Sequence, residues 1–403
     1  MTASRPRLYE AVLREHFAEN RQMAFLSGPR QVGKTSLARA LADRYLDWDS
    51  DDDRAAIVAG QNAVADIAGL DTAAPSTPLL AFDEIHRYRR WKLFLKGFFD
   101  KNENRCRILA TGSARMDVYK RGGDSLMGRN FPYRMHPFSV AELLHSSLPP
   151  SSLVRPPVPL PEEDWRALLA FGGFPEPFIR RSPRFSARWN RLRDEQLLRD
   201  DVRDLSRIED IGQLSVLARI LAARSGTQLV WSSLAADIKA DEKTAKRWVT
   251  LLSSLYYGFT ISPWSRNVSS SLRKTPKWYL RDWARVPDPG QRAETLVACH
   301  LLKAVEGWTD LGLGEFSLHY LRDKQKREVD FLVARDSTPW FLAEVKASGA
   351  TLSKSLAHFQ SLTGAPYAFQ VILDSPFVPV DLFARPSSPP LVVPALTFLS
   401  QLL

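Results

Sequence analysis

The segment Gly28-Pro29-Arg30-Gln31-Val32-Gly33-Lys34-Thr35 fits the pattern GxxxxGK[ST] and stands between an apolar run, Ala24-Phe25-Leu26-Ser27, and a helical stretch, SLARALADRY. A strand, a glycine-bearing loop and a helix in that order form a phosphate cradle. Gly28 and Gly33 permit backbone angles and a closeness of approach that a side chain would obstruct. The amides between Gly28 and Ser36, Pro29 excepted for want of an N–H, can therefore point at an anion from the N-terminus of the helix. Lys34 is placed to reach the β and γ phosphates, and Thr35 offers a hydroxyl to Mg²⁺. The pattern predicts ATP with Mg²⁺ as ligand.

A second run, Leu79-Leu80-Ala81-Phe82-Asp83-Glu84, reads as a buried strand ending in two carboxylates. Asp83 is expected to hold Mg²⁺ directly or through water, at the strand end where open α/β sheets bind ligands. Glu84 is expected to orient or deprotonate the attacking water. The interval after Lys34 leaves room for one more strand, which Tyr45 to Asp49 supplies. The next strand, Arg107 to Ala110, ends in Thr111-Gly112-Ser113. A small hydroxyl there can contact the γ-phosphate; Ser113 is preferred over Thr111, although either suits a plain turn. Arg129, ahead of a further strand, is a candidate arginine finger acting in cis or from a neighbouring subunit.

Strand-like and helical stretches alternate from residue 22 to about 137, the rhythm of a parallel α/β sheet. The Pro- and Ser-rich stretch SSLPPSSLVRPPVPLPEEDW at 146–165 then breaks the pattern. With 403 residues the chain is too long for one core. Three domains are expected, at 1–150, 151–264 and 265–403. Only two cysteines occur, Cys106 and Cys299, without metal-site spacing, which excludes a disulfide framework and a structural zinc site. His86, His136, His300 and His319 are likewise scattered. No apolar run approaches the roughly 18 residues of a membrane helix, and no signal-peptide core begins the sequence, so a cytoplasmic setting is expected. A net charge of +10 favours a polyanionic partner without choosing between nucleic acid and acidic protein.

In the middle stretch, Ser232 is expected to cap a helix through Ile238, a polar turn with Asp241 follows, and Thr244 to Leu255 has helical periodicity. Two helices with a tight turn fit a helix-turn-helix, with Lys243, Lys246 and Arg247 suited to phosphate contacts. A small packing or protein-contact module fits the same pattern. Trp231, Trp248 and Trp278 are read as core rather than as base-stacking residues. Further on, Val329 to Ala334 and Trp340 to Val345 read as a hairpin with a five-residue loop. A register symmetric about Ser337 sets Asp330 opposite Glu344, suited to one divalent cation, with Lys346 on the same face.

The segments GPRQVGKTSL, YLDWDS, LLAFDEIHRYRRW, ILATGSAR, SLMGRNFPYRMHPFSVAEL, FGGFPEPF, REVDFLV and AEVKAS together resemble the AAA+ ATPases of bacteria and archaea in which an AAA domain precedes a DUF4143 region. The resemblance implies an α/β architecture: a P-loop AAA+ parallel-sheet domain, a winged-helix-like helical segment, and a C-terminal α/β domain similar to the PD-(D/E)xK, restriction-endonuclease-like fold. It strengthens Arg129 as a finger. It also implies Glu294, on the helix predicted at Arg292 to Val305, as the fourth member of a nuclease-like set with Asp330, Glu344 and Lys346. The leading expectation is an oligomeric ATPase whose nucleotide state controls a DNA-engaging C-terminal half, with phosphodiester cleavage and binding without cleavage both left open. The alternative is an ATP-switched scaffold whose silent nuclease-like domain binds a protein partner.

Overall fold

The computed structural model describes residues 5–70, 77–112, 126–148, 153–198, 202, 210–265, 275–349 and 351–403. The chain divides into two compact units, Met1–Pro137 with Ser146–Leu148, and Phe138–His145 with Pro149–Leu403.

In the first unit α1 (Leu8–Glu19) precedes β1 (Met23–Ser27), α2 (Lys34–Leu41), β2 (Arg44–Asp47), α3 (Asp51–Ala59), α4 (Gln61–Ile67), β3 (Leu79–Asp83), α5 (Trp91–Asn102), β4 (Arg107–Gly112) and β5 (Asn130–Arg134). The strands form one sheet in the order β2-β3-β4-β1-β5. All four pairings are parallel. β1 is buried along its whole length, and β3 along all but its first residue. Their near-continuous apolar runs are what a parallel sheet covered on both faces demands. Phe25, Phe82, Phe94, Phe98 and Ile108 fill one side of that sheet. Because β1 lies between β4 and β5, the loop leaving β1 opens at the C-terminal sheet edge next to the ends of β3 and β4.

The second unit begins with α6 (Val140–Leu144), followed by α7 (Glu162–Phe171), α8 (Pro175–Arg180), α9 (Pro183–Gln196), α10 (Ile211–Ala223), α11 (Trp231–Asp237) and α12 (Glu242–Ser254). Then come β6 (Gly258–Ile261), β7 (Lys277–Leu280), α13 (Pro289–Asp310), β8 (Phe316–Arg322), β9 (Glu328–Arg335), β10 (Thr338–Lys346), α14 (Lys354–Thr363), β11 (Tyr367–Ile372), β12 (Leu391–Pro394) and α15 (Ala395–Ser400). β6 and β7 make an antiparallel pair, while the larger sheet runs β12-β11-β10-β9-β8. β8, β9 and β10 are antiparallel, and β11 and β12 join parallel to β10.

α11, α12 and the β6–β7 pair form a helix-turn-helix with a two-stranded wing. Asp241 caps α12 by accepting from the Thr244 amide at 2.8 Å, so the helix begins at Glu242, earlier than the periodicity suggested. Ser232 is not a cap: Val230 occupies that position, without a side-chain bond, and Ser232 lies inside the first turn of α11. The hairpin expectation also needs correction. Its loop is the two-residue turn Asp336-Ser337, both residues at positive φ, rather than five residues. A register shift between Pro339 and Phe341 then brings Ala343 opposite Phe331. Continued by one residue, that ladder sets Glu344 opposite Asp330.

Candidate nucleotide site and a second charged cluster

The phosphate loop is shaped by the residues that surround it. A Cβ on Gly28 would come within 2.3 Å of the Met135 carbonyl oxygen, so only glycine fits there. Gln31 at φ 61° and Gly33 at φ 105° turn the backbone in the left-handed sense on either side of Val32. Such alternation turns successive amides inward into an anion-binding hollow. The Lys34 ammonium donates to the carbonyls of Gly28 and Pro29, each at 2.9 Å, and so lies across the loop. Arg7, which sequence reasoning missed, donates to the Val32 carbonyl and, at 2.6 Å, to the His136 carbonyl. It fastens the outer side of the loop to the residues after β5.

Asp83 is buried and collects three hydroxyls. Thr35 donates to its Oδ2 at 2.7 Å and Tyr45 to the same oxygen at 2.5 Å, while Thr111 donates to Oδ1. The loop hydroxyl and the strand-end carboxylate are thus in contact, and both fit a hard cation held by oxygen. Burial first, then the bond to Asp83, pushes the Tyr45 hydroxyl well above its ordinary range, so Tyr45 is a donor at any physiological pH. Glu84 follows at φ 52°, a strained angle for a residue with a Cβ, and its amide donates to Thr111 Oγ1 at 3.4 Å. His86, 3.7 Å from Glu84, is pushed down to about 3 by burial and by Lys34, Arg87 and Arg30, and is therefore neutral. Ser113 lies outside the described residues; Thr111 is the hydroxyl that meets both Asp83 and Glu84.

Arg129 stands at the other edge of the sheet. Its carbonyl accepts from the Met23 amide at the start of β1, whereas the phosphate loop leaves the end of β1. Five strand residues separate the two, roughly 15 Å at about 3.3 Å per residue. The cis form of the finger expectation is therefore corrected. Arg129 is instead paired with Asp100 through Nε at 2.6 Å and Nη2 at 3.0 Å, on an exposed surface.

In the second unit Glu294, Glu328, Asp330 and Lys277 converge. Lys277 Nζ lies 3.0 Å from Glu294 Oε1, 2.7 Å from Glu328 Oε1 and 3.7 Å from Asp330 Oδ1, and its side chain is 4% exposed. Tyr279 donates to Glu294 Oε1 at 2.6 Å, and the Val345 amide donates to Asp330 Oδ2 at 2.9 Å. Lys346 pairs with Glu344 at 2.7 Å. Burial alone would lower the Lys277 pKa, but Glu294, Asp330 and Glu328 more than offset it and hold the ammonium charged. Burial and the neighbouring Glu294 push the Asp330 carboxyl up despite that ammonium. The nuclease-like set is thus largely gathered, yet it does not fit a divalent ion as it stands: an ammonium occupies the space among its carboxylates. No three His, Cys, Asp or Glu side chains among the described residues are grouped to hold a metal.

Lys243, Lys246 and Arg247 are exposed on α12, with Lys246 3.6 Å from Glu242. Trp248 and Trp278 are buried core residues, and Trp231 is partly covered beneath Lys246.

The sheet order and the loop meeting Asp83 define a P-loop nucleotide-binding protein. A family model described as an AAA domain matches residues 20–144, one for a domain of unknown function (DUF8612) matches 162–285, and one for another (DUF4143) matches 289–373. The chain accordingly carries an AAA domain followed by a DUF4143 domain, and the AAA domain supports nucleotide binding. Two uncharacterised proteins, from Mycobacterium tuberculosis and Mycobacterium bovis, are each 24% identical over 348 residues, covering 83% of this chain and 72% of theirs. Among solved structures, C. elegans PCH-2 is similar at 19% identity over 34% of this chain and 41% of its own, with a TM-score of 0.24. A DNA polymerase III gamma subunit-related protein of Thermotoga maritima is similar at 10% identity over 61% of this chain and 97% of its own, with a TM-score of 0.27. Both structural likenesses are too loose to bear on function. No helix among the described residues is long and apolar enough to cross a membrane.

Proposed function

We propose that the protein hydrolyses ATP with Mg²⁺ as an oligomer and passes its nucleotide state to a C-terminal half that holds DNA through α12. The observation that carries the reading is the 2.7 Å contact between Thr35 and Asp83, which joins the phosphate loop to the acidic strand end. Thr35 and Asp83 are the residues that would hold Mg²⁺, which when bound neutralises charge on phosphate oxygens. Lys34, already lying across the loop, supplies a fixed positive charge to the β and γ phosphates, and the amides of residues 30–36 supply donors. Glu84 serves as general base, taking a proton from the attacking water. Thr111 holds Glu84 and Asp83 in a common frame by bonding both. Arg129 acts on the neighbouring subunit once released from Asp100.

DNA rather than acidic protein is favoured by the exposed Lys243, Lys246 and Arg247 on the second helix of a winged helix-turn-helix. The test measures ATP turnover and DNA binding together. Wild-type protein is expected to turn over ATP, Lys34→Ala to lose nucleotide binding, and Glu84→Gln to bind ATP but hydrolyse it about 10²- to 10⁴-fold more slowly. Full turnover by Glu84→Gln would remove the general-base assignment. Absence of salt-dependent DNA binding by the ATP-loaded protein would replace DNA with a protein partner.

A further inference from the structure

Lys277 belongs to the wing strand β7, yet its side chain ends among carboxylates from two other elements, Glu294 of α13 and Glu328 and Asp330 of β9. Several carboxylates so close in a buried place repel one another unless a cation joins them. A metal enzyme would recruit that cation from solution; here the chain supplies it. The ammonium is placed by the pairing of Lys277 with Ile261 and rests 5.6 Å from the Tyr320 ring. The Gln228 amide and the Thr275 carbonyl, bonded to the Tyr320 hydroxyl at 2.9 Å and 2.5 Å, hold that ring in place. Beside this group, near Asp330, Glu344 Oε2 is buried with no hydrogen-bond partner.

We propose that Lys277 is the resident cation of this cluster, standing where a nuclease-like site would hold a divalent metal. The site consequently takes up neither Mg²⁺ nor Mn²⁺ and does not cut phosphodiesters. It acts as an ionic clasp between the wing strand and the C-terminal sheet. Removing the ammonium should leave Glu294 and Asp330 without their cation, beside the unpartnered Glu344 Oε2, and such an oxygen set attracts a hard cation.

The proposal is tested by counting bound Mn²⁺ on the full chain without nucleotide, by electron paramagnetic resonance. An Asp83→Asn background keeps the phosphate loop from contributing an ion. The background protein is expected to bind no Mn²⁺ in the micromolar range. Adding Lys277→Gln should create one Mn²⁺ site and make the melting temperature rise with Mn²⁺, and adding Asp330→Asn as well should abolish both effects. A Mn²⁺ site already present in the background protein and lost with Asp330→Asn would overturn the proposal. So would a folded Lys277→Gln protein that gains none, and so would Asp330-dependent cleavage of DNA by wild type in Mn²⁺. If Lys277→Gln does not fold, the background measurement and the cleavage assay still decide. None of these readouts involves ATP turnover, so failure of the ATPase reading leaves them intact.

Discussion

The Tyr45 hydroxyl donates at 2.5 Å to Oδ2 of Asp83, the same oxygen that accepts from Thr35. Tyr45 comes from the edge strand β2, stacks under Arg39 at 4.7 Å, and fixes the carboxylate that faces the phosphate loop. Tyr45→Phe removes one charge-assisted bond. The Mg²⁺ concentration for half-maximal ATP turnover is expected to rise about 10-fold, equivalent to about 1.4 kcal/mol. An unchanged Mg²⁺ requirement in a titration at saturating ATP would reduce Tyr45 to a packing residue.

Arg129 cannot reach its own phosphate loop, so a role in hydrolysis requires a second copy. Arg129→Ala is expected to slow turnover by about 10³-fold or more. Mixing it with Lys34→Ala, which keeps the finger but lacks the nucleotide, should restore activity that neither has alone. A mixture as inactive as its components would show that Arg129 serves only its pair with Asp100.

The three exposed cations of α12 predict a salt signature. Replacing Lys243, Lys246 and Arg247 with Gln should weaken DNA binding irrespective of sequence and lower the slope of log affinity against log salt by about 2.7. Fluorescence anisotropy across a salt series measures this. An unchanged slope would move the contact elsewhere.

His300 gives the second unit an acid limit. Its Nε2 accepts from the Val140 amide at 3.1 Å, and its Nδ1 pairs with the Leu296 carbonyl at 2.8 Å, an arrangement that requires the neutral ring. Burial, against the helping bond to Leu296, pushes its pKa down to about 4. The unfolded ring titrates near about 6.5, so between the two values the unfolded state binds more protons and stability falls as pH falls. The full effect is about 3 kcal/mol, present above pH about 6.5 and lost by about 4. Denaturant melts of wild type and His300→Gln over that range check it: the variant is less stable at neutral pH but has a shallower acid slope.

The phosphate loop and the central strands β1, β3 and β4 were legible because each of those strands is a short apolar run and the loop is a local pattern, whereas the edge strands β2, RYLD, and β5, NFPYR, carry polar ends that blur their bounds. Tyr45, Thr111 and Arg7 reach the site from elsewhere in the chain, and a tyrosine on an edge strand or an arginine before a helix has no local signature of such a role. Asp330 and Glu344 were placed opposite each other by symmetry about Ser337. The structure pairs the two strands through a shorter turn and a bulge near Trp340, as far as Ala343 opposite Phe331, and no residue type announces that shift. Lys277 was invisible for a different reason: in KTPKWYL it reads as a solvated lysine beside buried aromatics, and its carboxylate partners lie 17 or more residues away.

Helix α6 has a consequence for synthesis. Its Glu142 is buried against Lys303, 161 residues later, and Ser139 donates to the carbonyl of Leu403, 264 residues later. At about 5 to 20 residues per second, the ribosome delivers the ammonium that neutralises Glu142 roughly 8 to 32 s after the carboxylate itself. For that interval the five strands of the first unit are complete while Glu142 still awaits Lys303. Cleavage of the nascent chain within that window would leave a first unit with all five strands followed by a helix whose Glu142 has not met Lys303.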